Sequence, residues 1–232
     1  MAVCLGVKPI VVLPSWVGGI FENLEVLPLC ASSSARALEM KGVVDSLGVP
    51  KEGGPGSREL VIFVGGFFDS VYRVVFYSFC DFLKEGLGRG VGRMALYTTF
   101  NSLRLFEGWI PRILAAGFRI SFIAHSWGAA MAVKLCLRKP LNAENLITLD
   151  CVGRFRIDHR PSGVGSWENI YVDDYFAAFH RSNLAALVGG AKGAIPFADS
   201  NIAMGAPADH ASVSLMLDAS LIFKSLRESM RG

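Results

Sequence analysis

The chain has 232 residues, which suffices for one sizeable core and favours a single domain over residues 1–232. Apolar residues make up 52% of the sequence, as expected of a sheet that is buried on both faces. The formal charge of +3 is small and the basic residues are scattered, which argues against a nucleic-acid partner. The five cysteines form no C-x-x-C pair, so no metal site is predicted and no cofactor is expected.

The cellular location is predicted from the cysteines and the N-terminal segment. Most cysteines lie in apolar neighbourhoods, as reduced core residues of a cytosolic protein do. No apolar run reaches membrane-spanning length, and Lys8, Pro9 and Pro14 interrupt the apolar N-terminal stretch. We therefore expect synthesis in the cytoplasm without an ordinary secretion signal, with signal-independent export left open.

The first quarter of the chain carries only weak patterns. They predict strands over 7–14 and 24–29, a helix over 34–47 and a loop over 51–57.

A stronger pattern begins at residue 60. The run LVIFV over 60–64 is rich in β-branched residues and predicts a strand covered on both faces. Gly65 and Gly66 follow at its carboxyl end, where open α/β sheets bind ligands and where glycines let main-chain amides approach closely.

The elements that follow alternate between helix and strand. The pattern predicts a helix over 70–84 capped by Asp69, a strand over 93–99, and a helix over 101–116 that is interrupted near Pro111. This alternation predicts an α/β fold with a doubly wound, mostly parallel sheet and helices on both faces.

The clearest motif lies in residues 118–137, which predict a buried strand, a sharp turn and a helix. Ser126 lies at the turn, inside the pentapeptide AHSWG, which matches the nucleophile elbow of α/β-hydrolases with alanine for the first glycine. A serine hydroxyl is a weak nucleophile, and this turn presents it to a base and to amides that receive an oxyanion. The alternative is a serine at the N-cap of an ordinary helix.

Two further strands carry carboxylates at their ends. The run NLITL over 145–149 predicts a strand followed by Asp150, and the strand predicted over 170–172 is followed by Asp173 and Asp174. A carboxylate at the carboxyl end of a strand is placed to orient a histidine, so all three aspartates are candidates for the acid of a triad.

The last part of the chain begins with a loose segment over 177–207, rich in glycine and proline. It is interpreted either as a flap over an apolar substrate or as a long surface loop. A last strand is predicted over 201–204, and a final helix opens at Asp209 and His210, with Asp209 as its cap.

The base is chosen by elimination among four histidines. His125 adjoins Ser126 at a strand end, so its side chain is expected on the opposite face. His159 follows the preceding strand too soon, and His180 lies in a helical stretch. His210 lies between the last strand and the last helix, where the Ser-Asp-His chain order of an α/β-hydrolase places the base.

Residues beside the serine suggest how a substrate is held. The amides of Phe67, Gly66 and Trp127 are candidate oxyanion-hole donors. The alternative for the pair Gly65 and Gly66 is a plain strand-to-helix turn. Phe68 and Trp127 are the predicted substrate-binding side chains, since they place large apolar surface beside the hydroxyl. This favours an acyl chain over a sugar or peptide.

Two of these motifs resemble segments of a known family. LITLDCVG over 146–153 is similar to the acid-bearing segment of the lipase branch of the α/β-hydrolases, with Cys151 where that branch has proline. FVGGFFD over 63–69 resembles the oxyanion segment of bacterial lipase-like hydrolases, including some that are delivered as effectors. The resemblance rests on four short motifs between residues 60 and 213, and it favours Asp150 as the acid over Asp173 and Asp174.

The resemblance implies a Ser-His-Asp serine hydrolase that cleaves a carboxylic ester, most naturally of a lipid or other acyl substrate. Transient contact with a membrane surface is left open. The alternatives are a thioesterase or acyltransferase on the same triad, or a catalytically inactive hydrolase fold that acts as a binding protein.

Overall fold

The structure, a computed structural model, describes residues 58–67, 69–85, 93–100, 103, 106–115, 117–138, 141–176 and 180–231. The elements predicted before residue 58 and the side chain of Phe68 lie outside the described residues.

The described residues form a single sheet flanked by helices. Its strands are β1 (Arg58–Gly65), β2 (Arg93–Thr99), β3 (Phe118–His125), β4 (Ala143–Leu149), β5 (Val164–Val172) and β6 (Ser200–Met204). Their order across the sheet is β2-β1-β3-β4-β5-β6, and all the pairings are parallel. The predicted α/β fold with a doubly wound parallel sheet is confirmed.

Seven helices are present in the described part of the chain. They are α1 (Asp69–Tyr72), α2 (Val74–Lys84), α3 (Phe106–Ala115), α4 (Trp127–Arg138), α5 (Arg181–Gly189), α6 (Val213–Ala219) and α7 (Leu221–Arg231).

The helices cover both faces of the sheet because successive residues of each strand point to opposite sides. Leu60, Ile62 and Val64 of β1 join one core, to which α3 and α4 contribute. Val61 and Phe63 join the core on the other face, which contains residues of α2, α6 and α7. All five side chains are fully buried, as the uninterrupted apolar run predicts.

The helix predicted over 70–84 is broken in two. Arg73 adopts a left-handed backbone conformation (φ 57°), which ends α1 before α2 begins. The buried carboxylate of Asp69 accepts a hydrogen bond from the Val75 N–H (2.8 Å), so it caps the start of α2 from six residues upstream. By contrast, α3 continues through Pro111, and the interruption predicted there is wrong.

The predicted final helix is also two helices. The Ser220 hydroxyl donates to the buried Glu168 carboxylate and accepts from the Phe223 N–H (2.9 Å), which starts a new helix after Ala219. The prediction that Asp209 caps the final helix is wrong, because α6 begins after Ser212. Asp209 instead accepts from the Ala211 N–H (3.0 Å) within the preceding turn.

The segment over 177–207 contains regular structure in its described part. Helix α5 ends at Gly189, and the next residue, Gly190, has the left-handed conformation (φ 87°) that is typical of a C-terminal cap. β6 adds the last strand as predicted over 201–204. The movement that a flap requires stays a prediction.

Gly128 lets α4 approach the sheet closely, and replacing this residue tests that packing. A Cβ added there would lie 2.7 Å from the Val64 carbonyl oxygen and 2.8 Å from that of Gly65. Because both contacts are main-chain atoms, we expect Gly128→Ala to lower the free energy of unfolding by ~1–3 kcal/mol, measured by urea denaturation. Gly205→Ala is the control, since nothing lies within 4 Å of an added Cβ there, and an equal loss in both variants would contradict the prediction.

Candidate functional site

Ser126 lies in a strained turn at the carboxyl end of β3. Its φ of 57° is in the left-handed region, which non-glycine residues seldom adopt. The end of β4 and the residues after it bind both main-chain polar groups of Ser126. Its N–H donates to the Leu149 carbonyl (2.9 Å), and its carbonyl accepts from the Val152 N–H (3.1 Å). Helix α4 begins at the next residue, as the strand–turn–helix motif predicts.

The three residues predicted as a triad meet at this turn. Ser126 Oγ lies 2.9 Å from His210 Nε2, and His210 Nδ1 lies 2.5 Å from Asp150 Oδ2. A carboxylate only accepts, so His210 carries its proton on Nδ1 and donates it to Asp150, which leaves Nε2 to accept from the serine hydroxyl. The arrangement can therefore move a proton from the hydroxyl to the imidazole while the carboxylate faces the resulting charge.

Asp150 is fully buried and held by further donors. Its Oδ1 accepts from the Tyr175 hydroxyl (2.5 Å) and from the Val172 N–H (3.1 Å). Like Ser126, Asp150 adopts a left-handed conformation (φ 42°) at a strand end. The rival aspartates, Asp173 and Asp174, are both exposed, and the contact to His210 is made by Asp150.

The other histidines take different positions. His159 is exposed and pairs with Asp158, with 2.5 Å between Nδ1 and Oδ1. His180 precedes α5 and lies 3.5 Å from an Asp209 carboxylate oxygen. Neither residue has a described contact with Ser126.

The position predicted for His125 is wrong. Its ring does not point away from the site but packs beside that of His210, with ring centroids 4.7 Å apart. Successive side chains point to opposite faces only within a strand. Ser126 lies beyond the end of β3 in a left-handed conformation, so its side chain need not point away from that of His125.

The sequence reasoning also missed two polar residues beside the site. Tyr175 contacts Asp150, and the buried Asn183 contacts the main chain of His210 (2.8 Å). No signal in the sequence pointed to either, since both lie on segments whose position relative to the serine depends on the folded chain.

Gly66, one of the three predicted oxyanion-hole residues, lies against the serine. Gly66 approaches it so closely that an added Cβ would be 2.7 Å from Ser126 Cβ, which makes glycine necessary at the end of β1. Phe67 directly follows Gly66, and Trp127 directly follows Ser126. The donor roles of the three amides stay predictions.

Three aromatic rings form a partly exposed patch that includes Trp127, the residue after Ser126. The Phe67, Phe100 and Trp127 centroids lie 5.8 Å, 6.2 Å and 6.4 Å apart pairwise. Phe67 is 45% exposed and Trp127 is 39% exposed, so apolar ring surface remains open to a ligand. We name these three residues the aromatic patch.

A cavity opens beside the hydroxyl and the imidazole. Its volume is about 450 Å³, and Gly66, Ser126 and His210 line it. The rest of the lining includes the apolar Val74 and Ala185 and the polar or charged Asp69, His180, Arg181, Ser182 and Asp209. A cavity of this size holds a small organic group.

The described residues include no group of three or more His, Cys, Asp or Glu side chains arranged to hold a metal ion. Within the same ranges, no helix has the length and apolar character needed to cross a membrane.

Comparisons with known proteins were made on sequence and on structure. A scan against protein-family models gave no match, and a search of curated proteins gave none either.

A search of solved structures found chains of similar shape. An Agrobacterium tumefaciens protein of unknown function, described as a candidate α/β hydrolase, is 14% identical over 78% of this chain and 90% of that chain, with a TM-score of 0.46. A lidless α/β serine hydrolase from Xanthomonas campestris is 13% identical over 78% and 84%, with a TM-score of 0.45. A Thermus thermophilus protein is 11% identical over 78% and 92%, with a TM-score of 0.36. Because these identities are 14% or lower and the TM-scores are below 0.5, we infer the function from this chain's own residues.

The burial of His125 generates a pH prediction. Burial, and next the neighbouring His210, lower the pKa of His125 from 6.5 to about 3. Between those pH values the unfolded chain binds a proton that the folded protein does not, so this residue makes stability fall as the pH falls, by ~1.4 kcal/mol per pH unit. We expect the stability of His125→Gln relative to wild type to rise as the pH is lowered from 6.5 towards 4, measured by urea denaturation. A difference that does not change with pH would contradict this.

Proposed function

We propose that this protein is a serine hydrolase of the α/β-hydrolase type that cleaves a carboxylic ester of an acyl substrate. The observation that carries the proposal is the continuous hydrogen-bond chain from Ser126 Oγ through both nitrogens of His210 to Asp150. A serine paired with a base that a third group orients is the general arrangement of an activated nucleophile.

The proposed reaction begins with proton transfer. His210 Nε2 takes the Ser126 hydroxyl proton while the oxygen attacks the ester carbonyl, and Asp150 stabilises the imidazolium that forms. His210 then donates the proton to the departing alkoxide, which leaves as an alcohol and yields an acyl-serine. Water, deprotonated by His210, then attacks the acyl-serine, and His210 returns that proton to Ser126 Oγ as the carboxylic acid leaves.

The oxyanion of each tetrahedral intermediate needs donors. We assign the amides of Phe67 and Trp127, with Gly66 admitting the substrate because it has no side chain to block the approach to Ser126. Loss of one such donor typically costs ~3 kcal/mol of transition-state stabilisation.

The surroundings of the serine favour an apolar acyl group. The aromatic patch offers ring surface on one side, and Val74 and Ala185 contribute apolar contact in the cavity. The same exposed rings suit brief contact with a lipid surface, which would bring a lipid ester to the site.

Replacing the nucleophile tests the proposal. We expect Ser126→Ala to abolish hydrolysis of nitrophenyl esters, with a loss of at least ~10³-fold in kcat, and to abolish covalent labelling by a fluorophosphonate. Ser214→Ala, at an exposed position on α6, is the matched control and should keep both activities.

Unchanged turnover in Ser126→Ala would overturn the proposal. Labelling of wild type without ester hydrolysis would favour a thioesterase or acyltransferase, which thioester substrates and alcohol acceptors would reveal. Absence of a Ser126 adduct in folded wild type would favour a binding protein.

The choice of acid is tested separately. We expect Asp150→Asn to lower kcat by ~10³–10⁴-fold, because an amide can donate to His210 Nδ1 and favour the wrong tautomer. Asp173→Asn and Asp174→Asn should retain near-wild-type rates, since both residues are exposed. A larger loss in either of these than in Asp150→Asn, measured with the same ester, would reassign the acid.

A further inference from the structure

His210 lies in a connection between β6 and α6, outside any helix or strand. A loop residue has a less constrained main chain than a residue in a sheet, yet the proposed chemistry needs its ring held between two partners at 2.9 Å and 2.5 Å. The position of the ring therefore depends on the hydrogen bonds that hold the His210 main chain.

Both main-chain polar groups of His210 are bound by side chains. Its N–H donates to Asn183 Oδ1 (2.8 Å), and its carbonyl accepts from the His125 Nε2–H (2.7 Å). Asn183 is 2% exposed and His125 is 5% exposed, so water does not compete for either bond.

The two side chains connect His210 to the rest of the site. His125 is the last residue of β3 and directly precedes Ser126. Asn183 Nδ2 donates to the Tyr175 carbonyl (3.1 Å), and the Tyr175 hydroxyl donates to Asp150. One bond therefore ties the base to the strand that carries the nucleophile, and the other ties it to the residue that holds the acid.

We propose that His125 and Asn183 are positioning residues that clamp the main chain of His210 from its two sides and so set the reach of its imidazole to Ser126 and Asp150. This proposal rests on the proposed hydrolase function. We call the pair of bonds the His210 clamp.

The chemistry of His125 fits this role. A carbonyl only accepts, so Nε2 must carry the proton, and the ring is a neutral tautomer with an unprotonated Nδ1. That Nδ1 is buried and has no hydrogen-bond partner among the described residues, a cost that a merely space-filling residue would not incur. Nε2 is committed to the carbonyl, which separates His125 from the proton transfer assigned to His210.

The neutral charge state of His125 also avoids repulsion of the His210 imidazolium. The charged or titratable groups that face it are His210, Asp150 and Asp209. A second positive ring, with its centroid 4.7 Å from that of His210, would repel the imidazolium that forms during catalysis. Burial keeps His125 uncharged, so it donates a hydrogen bond without adding that repulsion.

The experiment compares two replacements of His125. His125→Phe keeps the ring and removes the donor, whereas His125→Gln places an amide N–H near the position of Nε2. Ester hydrolysis gives kcat and KM, thermal unfolding checks the fold, and proton NMR follows the downfield signal of the His210 Nδ1–H in its bond to Asp150.

If the clamp acts as proposed, His125→Phe lowers kcat by ~10–100-fold with little change in KM, and the downfield signal broadens or disappears. His125→Gln restores both. A folded His125→Phe variant that keeps wild-type kcat and the wild-type signal overturns the proposal, and so does a His125→Gln variant as impaired as His125→Phe.

A measurement on the wild-type protein covers the case in which His125→Phe does not fold. The Asn183 bond predicts that the His210 amide exchanges its hydrogen as slowly as amides of the central strand β3, although it lies in a loop. Exchange as fast as in exposed loops overturns the clamp. Neither exchange nor the NMR signal depends on turnover, so an inactive wild type with a protected amide would count against the hydrolase and not against the clamp.

Discussion

The site depends on two strained residues at the ends of neighbouring strands. Ser126 directly follows β3 and Asp150 directly follows β4, and both hold left-handed backbone conformations that cost on the order of 1–3 kcal/mol each. Main-chain bonds to the next strand oppose this cost, because Ser126 N–H donates to Leu149 and Asp150 N–H donates to Ile170 (2.6 Å). The parallel ladder thus continues one residue past each strand and orients both side chains.

Close packing around the serine is the second requirement. Gly66 brings the end of β1 against Ser126, and Gly128 brings the start of α4 against the end of β1, both at distances that leave no room for a Cβ. Phe67 directly follows Gly66 and Trp127 directly follows Ser126, so the same packing brings their rings together, where both stay partly exposed. Backbone approach and apolar surface therefore arise from one packing arrangement.

The base reaches this turn from a distant part of the chain. His210 is 84 positions from Ser126, and no hydrogen bond of a strand or helix holds it. Its placement comes from buried side chains, so the geometry of the proposed reaction depends on polar groups that do not contact a substrate. Tyr175, Asn183 and His125 belong to three different segments, and their convergence reflects the order of the strands in the sheet.

Local patterns in the sequence sufficed for much of the fold. Continuous apolar runs identified β1, β3 and β4, and the turn at Ser126 was evident because strand, small residues and helix follow one another within twenty positions. Chain order and elimination among four histidines predicted His210 as the base. The ends of the predicted strands gave Asp150, Asp173 and Asp174 as candidates for the acid. All these inferences use information carried by neighbouring residues.

What the tertiary structure decided depends on contacts between distant residues. The contact between Asp150 and His210 is one example, because Asp173 and Asp174 also follow a strand and a strand end alone does not say which histidine it faces. The break at Arg73 follows from its backbone conformation, and the new helix after Ser220 follows from its contact with the buried Glu168. The sequence by itself determined the described strands, the turn at Ser126 and the candidate residues, since these are encoded locally. The folded chain decided the side on which His125 lies and the partners of Asn183, because a left-handed turn and a buried hydrogen bond arise only when separate segments pack together.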